Sequence, residues 1–360
     1  MPPNDFMTAA TPPASSPTEP RERAPWAASL AQAIRDPEIL ITRLGLADTL
    51  REPARAAARH FPVMVPESYL ARMRPGDPHD PLLLQVLPLA AEDDEVPGFQ
   101  PDAVGDHAAR SAPGLLHKYA GRVLLVTTGA CAVHCRYCFR RHYPYGEEPR
   151  RMSDWEPAFE AIAADDSIDE VILSGGDPLM LTDQRLAEIL SRLEAIPHLA
   201  RIRFHSRLPI VLPDRITDDF LQLLQGTRLQ PIFVVHANHP AEIEGDCRDA
   251  LTRLVRSGIP TLNQAVLLRG VNDRAEVLEE LSRKLINAGV MPYYLHQLDR
   301  VAGAAHFEVD EREGLSLIEQ LRERLPGYGV PQYVRERSGE ASKTPIVNGS
   351  ESRHVAREMP

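Results

Sequence analysis

Residues 123–139 read VLLVTTGACAVHCRYCF, an apolar, β-branched run that ends in two threonines and a glycine and leads straight into three cysteines spaced C-x3-C-x2-C. A run of this kind predicts a buried strand. Cys131, Cys135 and Cys138 therefore stand just beyond its C-terminal end. Five more runs follow: EVILSG (170–175), RIRFHS (201–206), PIFVVHA (231–237), LNQAVLL (262–268) and PYYLHQ (292–297). Between them lie helical patterns such as TDQRLAEILSRLEAI, opened by Thr182 or Asp183 as N-cap, and DRAEVLEELSRKLINAG, closed by Gly289. Strict alternation of strand and helix requires a parallel sheet with right-handed crossovers. Six such units predict an α/β fold, a partial (β/α)6 barrel of the TIM-like kind, with its chemistry at the C-terminal ends of the strands.

Upstream, residues 26–115 carry helical spacing interrupted by Pro-Gly and Asp-Pro, which predicts a mostly helical N-terminal region. Residues 1–25 are rich in Pro, Ala, Ser and Thr without period and read as a disordered tail. The barrel is expected over 116–335 and a C-terminal segment over 336–360. With 43% hydrophobic and 25% charged residues, the 360-residue chain has the balance of a globular enzyme. Its net charge of −11 argues against a broad nucleic-acid face. No apolar window is long enough for a membrane helix, and the N-terminus lacks the apolar core of a secretory signal. A cytoplasmic protein that binds neither nucleic acid nor membrane is expected.

In a reducing compartment three clustered cysteines read as a ligand set. Three thiolates can hold three irons of a 4Fe-4S cluster, leaving the fourth iron open to another ligand. Zinc is the alternative, with His134 as a fourth ligand, although structural zinc sites usually come as two separated pairs. Cys247, inside GDCRDALTRL, reads as a packing residue.

The cysteine spacing, with Tyr137 before the last cysteine, resembles the signature of the radical S-adenosylmethionine (SAM) superfamily. HKYAGRVLL, CRYCFRRHYPY, VILSGGDPL, SRLPIVLPDRIT, LNQAVLLRGVND, MPYYLHQLD, GAAHF and SKTP together resemble the lysine 2,3-aminomutase family over roughly residues 65–347. The likeness is greatest to its short bacterial EpmB type, which makes the (R)-β-lysine used to modify elongation factor P. The resemblance implies a radical SAM barrel, a 4Fe-4S cluster on Cys131, Cys135 and Cys138, SAM, pyridoxal 5′-phosphate (PLP), lysine as substrate, an external electron donor, and a functional link to elongation factor P and its lysine ligase.

Several residues that would otherwise look ordinary acquire roles from this likeness. Ser174, Gly175, Gly176 and Asp177 form a plain Gly-Gly turn motif by themselves; the family assigns it to the methionyl amino group of SAM. His236 and Gln264 match positions near the adenosyl end, where the residues alone suggest satisfied core polar groups. Lys343, a C-terminal lysine of the surface kind by composition, matches the lysine that binds PLP covalently. Lys118, Tyr119 and Arg122 correspond to residues around PLP and its phosphate, and Arg140 to the arginine that grips the substrate carboxylate. Asp299 and Glu336 match two acids that hold the lysine ε-ammonium. The long aminomutases carry Asp where this chain has Glu336, and glycines where it has Gly339, Glu340, Ala341 and Ser342; they also have a Cys-rich C-terminal extension, so their oligomeric state is not carried over. Two other readings make different predictions: an aminomutase making free β-lysine or acting on another amino acid, and a non-catalytic iron–sulfur redox sensor, which would bind a cluster without PLP.

Overall fold

A computed structural model describes residues 24–347. Ten strands form one open sheet in chain order: β1 (Arg110–Ala112), β2 (Leu115–Tyr119), β3 (Arg122–Thr128), β4 (Glu170–Gly175), β5 (Arg201–Ser206), β6 (Gln230–Val235), β7 (Thr261–Val266), β8 (Met291–His296), β9 (Gln332–Arg335) and β10 (Thr344–Pro345). Strands β3 to β9 run parallel. The six apolar runs become β3 to β8, and each is followed by an outer helix: Glu156–Ala164, Asp183–Glu194, Asp218–Gly226, Gly245–Arg256, Ala275–Asn287 and Glu311–Arg324. This is the partial barrel expected, extended by one parallel strand and by antiparallel hairpins at both edges.

Local chemistry sets the helix ends. Thr182 accepts from the Arg185 amide at 3.3 Å as N-cap. Gly289, at φ 81°, ends its helix in a Schellman turn, with Gly289 N bonded to Ile286 O and Val290 N to Leu285 O. Cys247 is fully buried in its helix. Strand β5 shows how the sequence divides its faces: Ile202 and Phe204 are buried among the helices, whereas Arg203 and His205 face the barrel interior. Phe204 stacks on Phe233 of β6 at 5.7 Å, and Phe220 of the following helix meets both rings edge-on.

The N-terminal region consists of short helices (Pro25–Ala31, Pro37–Arg43, Arg51–Ala58, Glu67–Leu70, Pro81–Leu84), then turns, before β1. The first 23 residues of the expected tail lie outside the described residues. This region forms the shelf on which the cysteine loop rests. Arg136, with no exposed surface, donates its backbone N–H to Gln85 O, Nε to Glu92 Oε1 at 2.8 Å and Nη1 to Phe61 O at 2.8 Å. Arg141 reaches the same Glu92 carboxylate at 2.7 Å. A buried carboxylate between two guanidinium groups is compensated, and losing it would strand both cations. Among the described residues no helix is long and apolar enough to cross a membrane.

Candidate active site

The C-terminal ends of the strands open onto a cavity of about 470 Å³. Lys118, Tyr119, Arg122, Arg140, Ser174, His236, Gln264, Asp299, Glu336 and Lys343 all line it, although they come from eight separate stretches of chain. HKYAGR is not a solvated loop: it is the end of β2, a two-residue turn with Gly121 at φ 77°, and the start of β3, with Tyr119 paired to Arg122. The Arg122 guanidinium lies 4.7 Å from the Tyr119 ring. The other edge is the β9–β10 hairpin. Pairing of Thr344 with Arg335 brings Lys343 and Glu336 face to face at the base of its loop.

Five charged groups run along one wall in alternating sign. Lys343 Nζ lies 2.6 Å from Glu336 Oε2, and Glu336 Oε1 is 2.9 Å from Lys118 Nζ. Lys118 is 2.7 Å from Asp106 Oδ1, and Asp106 Oδ2 accepts from Arg140 Nε at 2.6 Å. Arg140 Nη1 donates to Ser174 Oγ at 3.3 Å. Burial opposes ionisation of Glu336, but Lys343 and Lys118 hold its carboxyl well below the usual range. Burial likewise opposes the charge on Asp106, and Arg140 with Lys118 overcomes it. Three cations against two carboxylates leave an excess of positive charge, suited to a phosphate or a carboxylate.

Asp106 gave no sign of itself in the sequence. It is a loop aspartate whose amide is fixed by Asp102 Oδ1 at 2.9 Å, and only the tertiary fold sets its side chain, 2% exposed, between Lys118 and Arg140. Asp299, which was legible, faces the same cavity without a close cation. Burial, then the neighbouring Glu336 charge, push its carboxyl up to about 7, with Lys343 and Lys118 only partly offsetting them. An acid raised in the folded state stabilises most below its unfolded pKa and loses that contribution as pH rises through about 7. Apoprotein carrying Asp299→Asn should therefore match the parent near pH 4 and exceed it in stability by up to a few kcal/mol above pH 7. Denaturant melts across that range check this, and a constant difference would contradict it.

Three histidines line the inner wall, and burial pushes all of them down: His236 to about 3, with His205 and His296 well below the ordinary value. Neutral His236 Nε2 accepts from Gln264 Nε2 at 2.9 Å. His205 Nε2, His296 Nε2 and Arg203 Nε are buried with no hydrogen-bond partner among the described residues. A cavity with such orphaned polar atoms on its walls suits a large polar cofactor.

The SGGDP segment is also a packing joint within the fold. Gly176 N donates to Thr128 O at 2.7 Å and Asp177 N to Ala130 O at 2.8 Å, so β4 grips the start of the cysteine loop. A Cβ on Gly176 would sit 2.8 Å from the Gly129 carbonyl carbon, and one on Gly175, which is at φ 116°, 2.7 Å from Thr128 O. Neither Gly175, Gly176 nor Asp177 lines the cavity; Ser174 does. The Asp177 carboxylate, buried and pushed up to about 6 by burial, accepts from Ser206 Oγ, the Leu179 amide, and the Arg207 and Leu208 amides. It therefore ties β4 to the end of β5.

Cys131, Cys135 and Cys138 are free thiols in the loop after β3, and Phe139, next to Cys138, lines the cavity. Burial raises the Cys131 and Cys138 thiols, and the thiols' mutual proximity raises them further. Among the described residues no three His, Cys, Asp or Glu side chains converge as ligands of one ion. A 4Fe-4S cube does not need such convergence, because each thiolate binds its own iron. The donor set therefore fits the cluster.

Residues 125–281 match the family model of the Radical SAM superfamily. The chain is 46% identical to an L-lysine 2,3-aminomutase of Haemophilus influenzae, over 91% of this chain and 98% of that protein. It is 47% identical to the L-lysine 2,3-aminomutase of Escherichia coli, over 90% of this chain and 95% of that one. Identity to the Clostridium subterminale L-lysine 2,3-aminomutase is 34%, over 89% of this chain and 77% of that protein.

Proposed function

Because the chain belongs to the lysine 2,3-aminomutase family of radical SAM isomerases, we propose that it converts (S)-α-lysine to (R)-β-lysine in the cavity above β3 to β8. The family's cofactors are a 4Fe-4S cluster, SAM and PLP. The cluster and SAM supply a carbon radical, and PLP supplies an unsaturated nitrogen on which a neighbouring radical can act.

The observation that carries the reading is the charged row from Lys343 to Arg140 along one cavity wall. Lys343 is the PLP lysine, and Glu336 at 2.6 Å holds its amine in place whenever that amine is free. Lys118, Tyr119 and Arg122 surround the ring and phosphate. Asp106 orients Arg140, a guanidinium fork for the substrate carboxylate. Asp299, with Glu336, receives the ε-ammonium. Such an ammonium would draw the raised Asp299 carboxyl back to its charged form. Cys131, Cys135 and Cys138 hold the cluster. SAM would be held at the end of β4, with Ser174 on the cavity side and Gly175 to Asp177 behind it, and His236 and Gln264 would stand toward its adenosyl end. Neutral histidines and tyrosines on the walls keep bulk water from a reactive radical.

The test is an anaerobic assay of reconstituted protein with lysine, SAM, PLP and a strong reductant, read by chiral chromatography. (R)-β-lysine is expected, and Lys343→Ala should abolish it while leaving the cluster intact. SAM cleavage without β-lysine would move the substrate to another amino acid, and a loaded cluster with neither product would favour a redox sensor. The role of the product in elongation factor P modification, in the cytoplasm, is part of the same proposal. It is tested by whether the lysine ligase attaches the product to that factor.

A further inference from the structure

Arg207, the residue that follows β5, lies outside the cavity lining, yet its side chain reaches the cysteine loop. It is 5% exposed. Its Nη1 lies 2.7 Å from Cys135 Sγ and 2.6 Å from the Tyr137 hydroxyl; Nη2 donates to Gln85 Oε1 at 2.7 Å and to the Tyr69 hydroxyl at 3.1 Å. The backbone is equally fixed, because Arg207 N donates to Asp177 Oδ2 at 2.7 Å. Asn238 Nδ2 bonds both Tyr137 and Gln85, which closes the network on its far side.

The charge balance of this group is unusual. Its nearest carboxylate, Glu242, is 3.4 Å away and already accepts from Gln85 Nε2 at 2.7 Å. The remaining close oxygens are neutral, so the closest partner able to carry negative charge is the Cys135 sulfur. A buried guanidinium needs an anion, and a cluster-bound thiolate is one. Taking on an electron makes that anion more negative, so a fixed cation at the sulfur favours the reduced cluster over the oxidised one.

We propose that Arg207 raises the reduction potential of the cluster by holding a fixed positive charge against the Cys135 sulfur. The proposal rests on the cluster being bound at Cys131, Cys135 and Cys138. Arg207 is a positioning residue: it acts on the cluster through a ligand and touches neither the substrate cavity nor its lining. Lysine could reach the sulfur but could not also span to Gln85 and Tyr69 with a planar fork.

The experiment is a potentiometric titration of the reconstituted full chain, followed by the electron paramagnetic resonance signal of the reduced cluster, with iron and sulfide counted first. Arg207→Gln should keep the full iron content but shift the midpoint downward, so that a fixed dose of dithionite reduces a smaller fraction. Arg207→Lys should recover part of the shift. Glu242→Gln, which removes the nearest competing carboxylate, should shift the midpoint upward. A fully loaded Arg207→Gln protein with an unchanged midpoint overturns the proposal. If that variant fails to load, Arg207→Lys decides: a midpoint below that of the parent supports the assignment, and one equal to the parent's overturns it. Parent protein that binds no cluster at the three cysteines would remove the premise instead, and the iron count reveals that separately.

Discussion

Gly176→Ala is expected to lower SAM cleavage by about 100-fold while leaving the barrel folded, because a sub-ångström to ångström displacement of a reacting group commonly has that effect. The added methyl would meet backbone, with the Gly129 carbonyl carbon 2.8 Å from the new Cβ and the Ala130 carbonyl also in the way. A flexible side chain could swing aside, but backbone cannot. The segment that must yield begins two residues before Cys131 and is clamped by the Gly176–Thr128 and Asp177–Ala130 hydrogen bonds. Moving it disturbs the spacing of the first thiolate relative to the other two. Overpacking of this kind costs about 1–3 kcal/mol of stability, and the larger consequence is for iron loading. Gly226→Ala is the control: nothing lies within 4 Å of a Cβ there, and the change should stay within about 0.5 kcal/mol. Iron content and SAM cleavage measured side by side check the result, and normal loading in Gly176→Ala would refute it.

Asp106→Ala should destabilise the apoprotein by about 3–5 kcal/mol near neutral pH, the usual cost of stranding a buried partner of opposite charge. Here Arg140, at 2.6 Å from Oδ2, loses its only close carboxylate among the described residues, and Lys118, at 2.7 Å from Oδ1, is left with Glu336 alone. Asp106→Asn should lose less, since its amide oxygen still accepts from Arg140. The pH dependence has a definite sign. Burial opposes the Asp106 charge, but Arg140 and Lys118 depress its carboxyl overall, so its stabilisation is present above the ordinary carboxylate range and fades as pH falls through the folded value. The gap between parent and Asp106→Asn should therefore be widest near neutrality and shrink in acid. Urea melts under reducing conditions at several pH values measure it. With Arg140 in its proposed role on the substrate carboxylate, the same variants should raise the KM for lysine, because Arg140 loses the contact that fixes its orientation.

What could be read directly from the chain was whatever depends on near neighbours. Six runs specified β3 to β8, as nearly continuous apolar stretches such as VLLV and EVIL or as alternating ones such as RIRFHS, because a buried strand needs apolar residues on the face it packs against the helices wherever it sits. Thr182 and Gly289 marked helix ends because capping is a matter of a few bonds within one turn. The C-x3-C-x2-C spacing and the family motifs identified the cofactor class and ten of the residues that line the cavity. The edge hairpins were not legible in the same way. LLHKY carries Lys118 and Tyr119 into the cavity, and QYVR is a four-residue strand whose two buried residues are flanked by polar ones, so neither shows an apolar period. The paired glycines were visible, but the reason for them was not: they leave room for the cysteine loop, a contact between segments 47 residues apart in the bond from Asp177 N to Ala130 O.

Tertiary structure alone decided which charges meet. Asp106 and Glu92 belong to none of the family motifs, and nothing in SRLPIVLPDRIT marks its Arg207 as a partner of the cysteine loop. Their partners lie 34 residues away for Asp106 and Arg140, 44 for Glu92 and Arg136, and 72 for Arg207 and Cys135. Local propensity acts over a few residues, whereas the requirement that a buried charge find an opposite charge acts through space. The sequence by itself thus determined the barrel, the cysteine ligand set and the family chemistry, and the fold determined the electrostatic frame in which that chemistry is held.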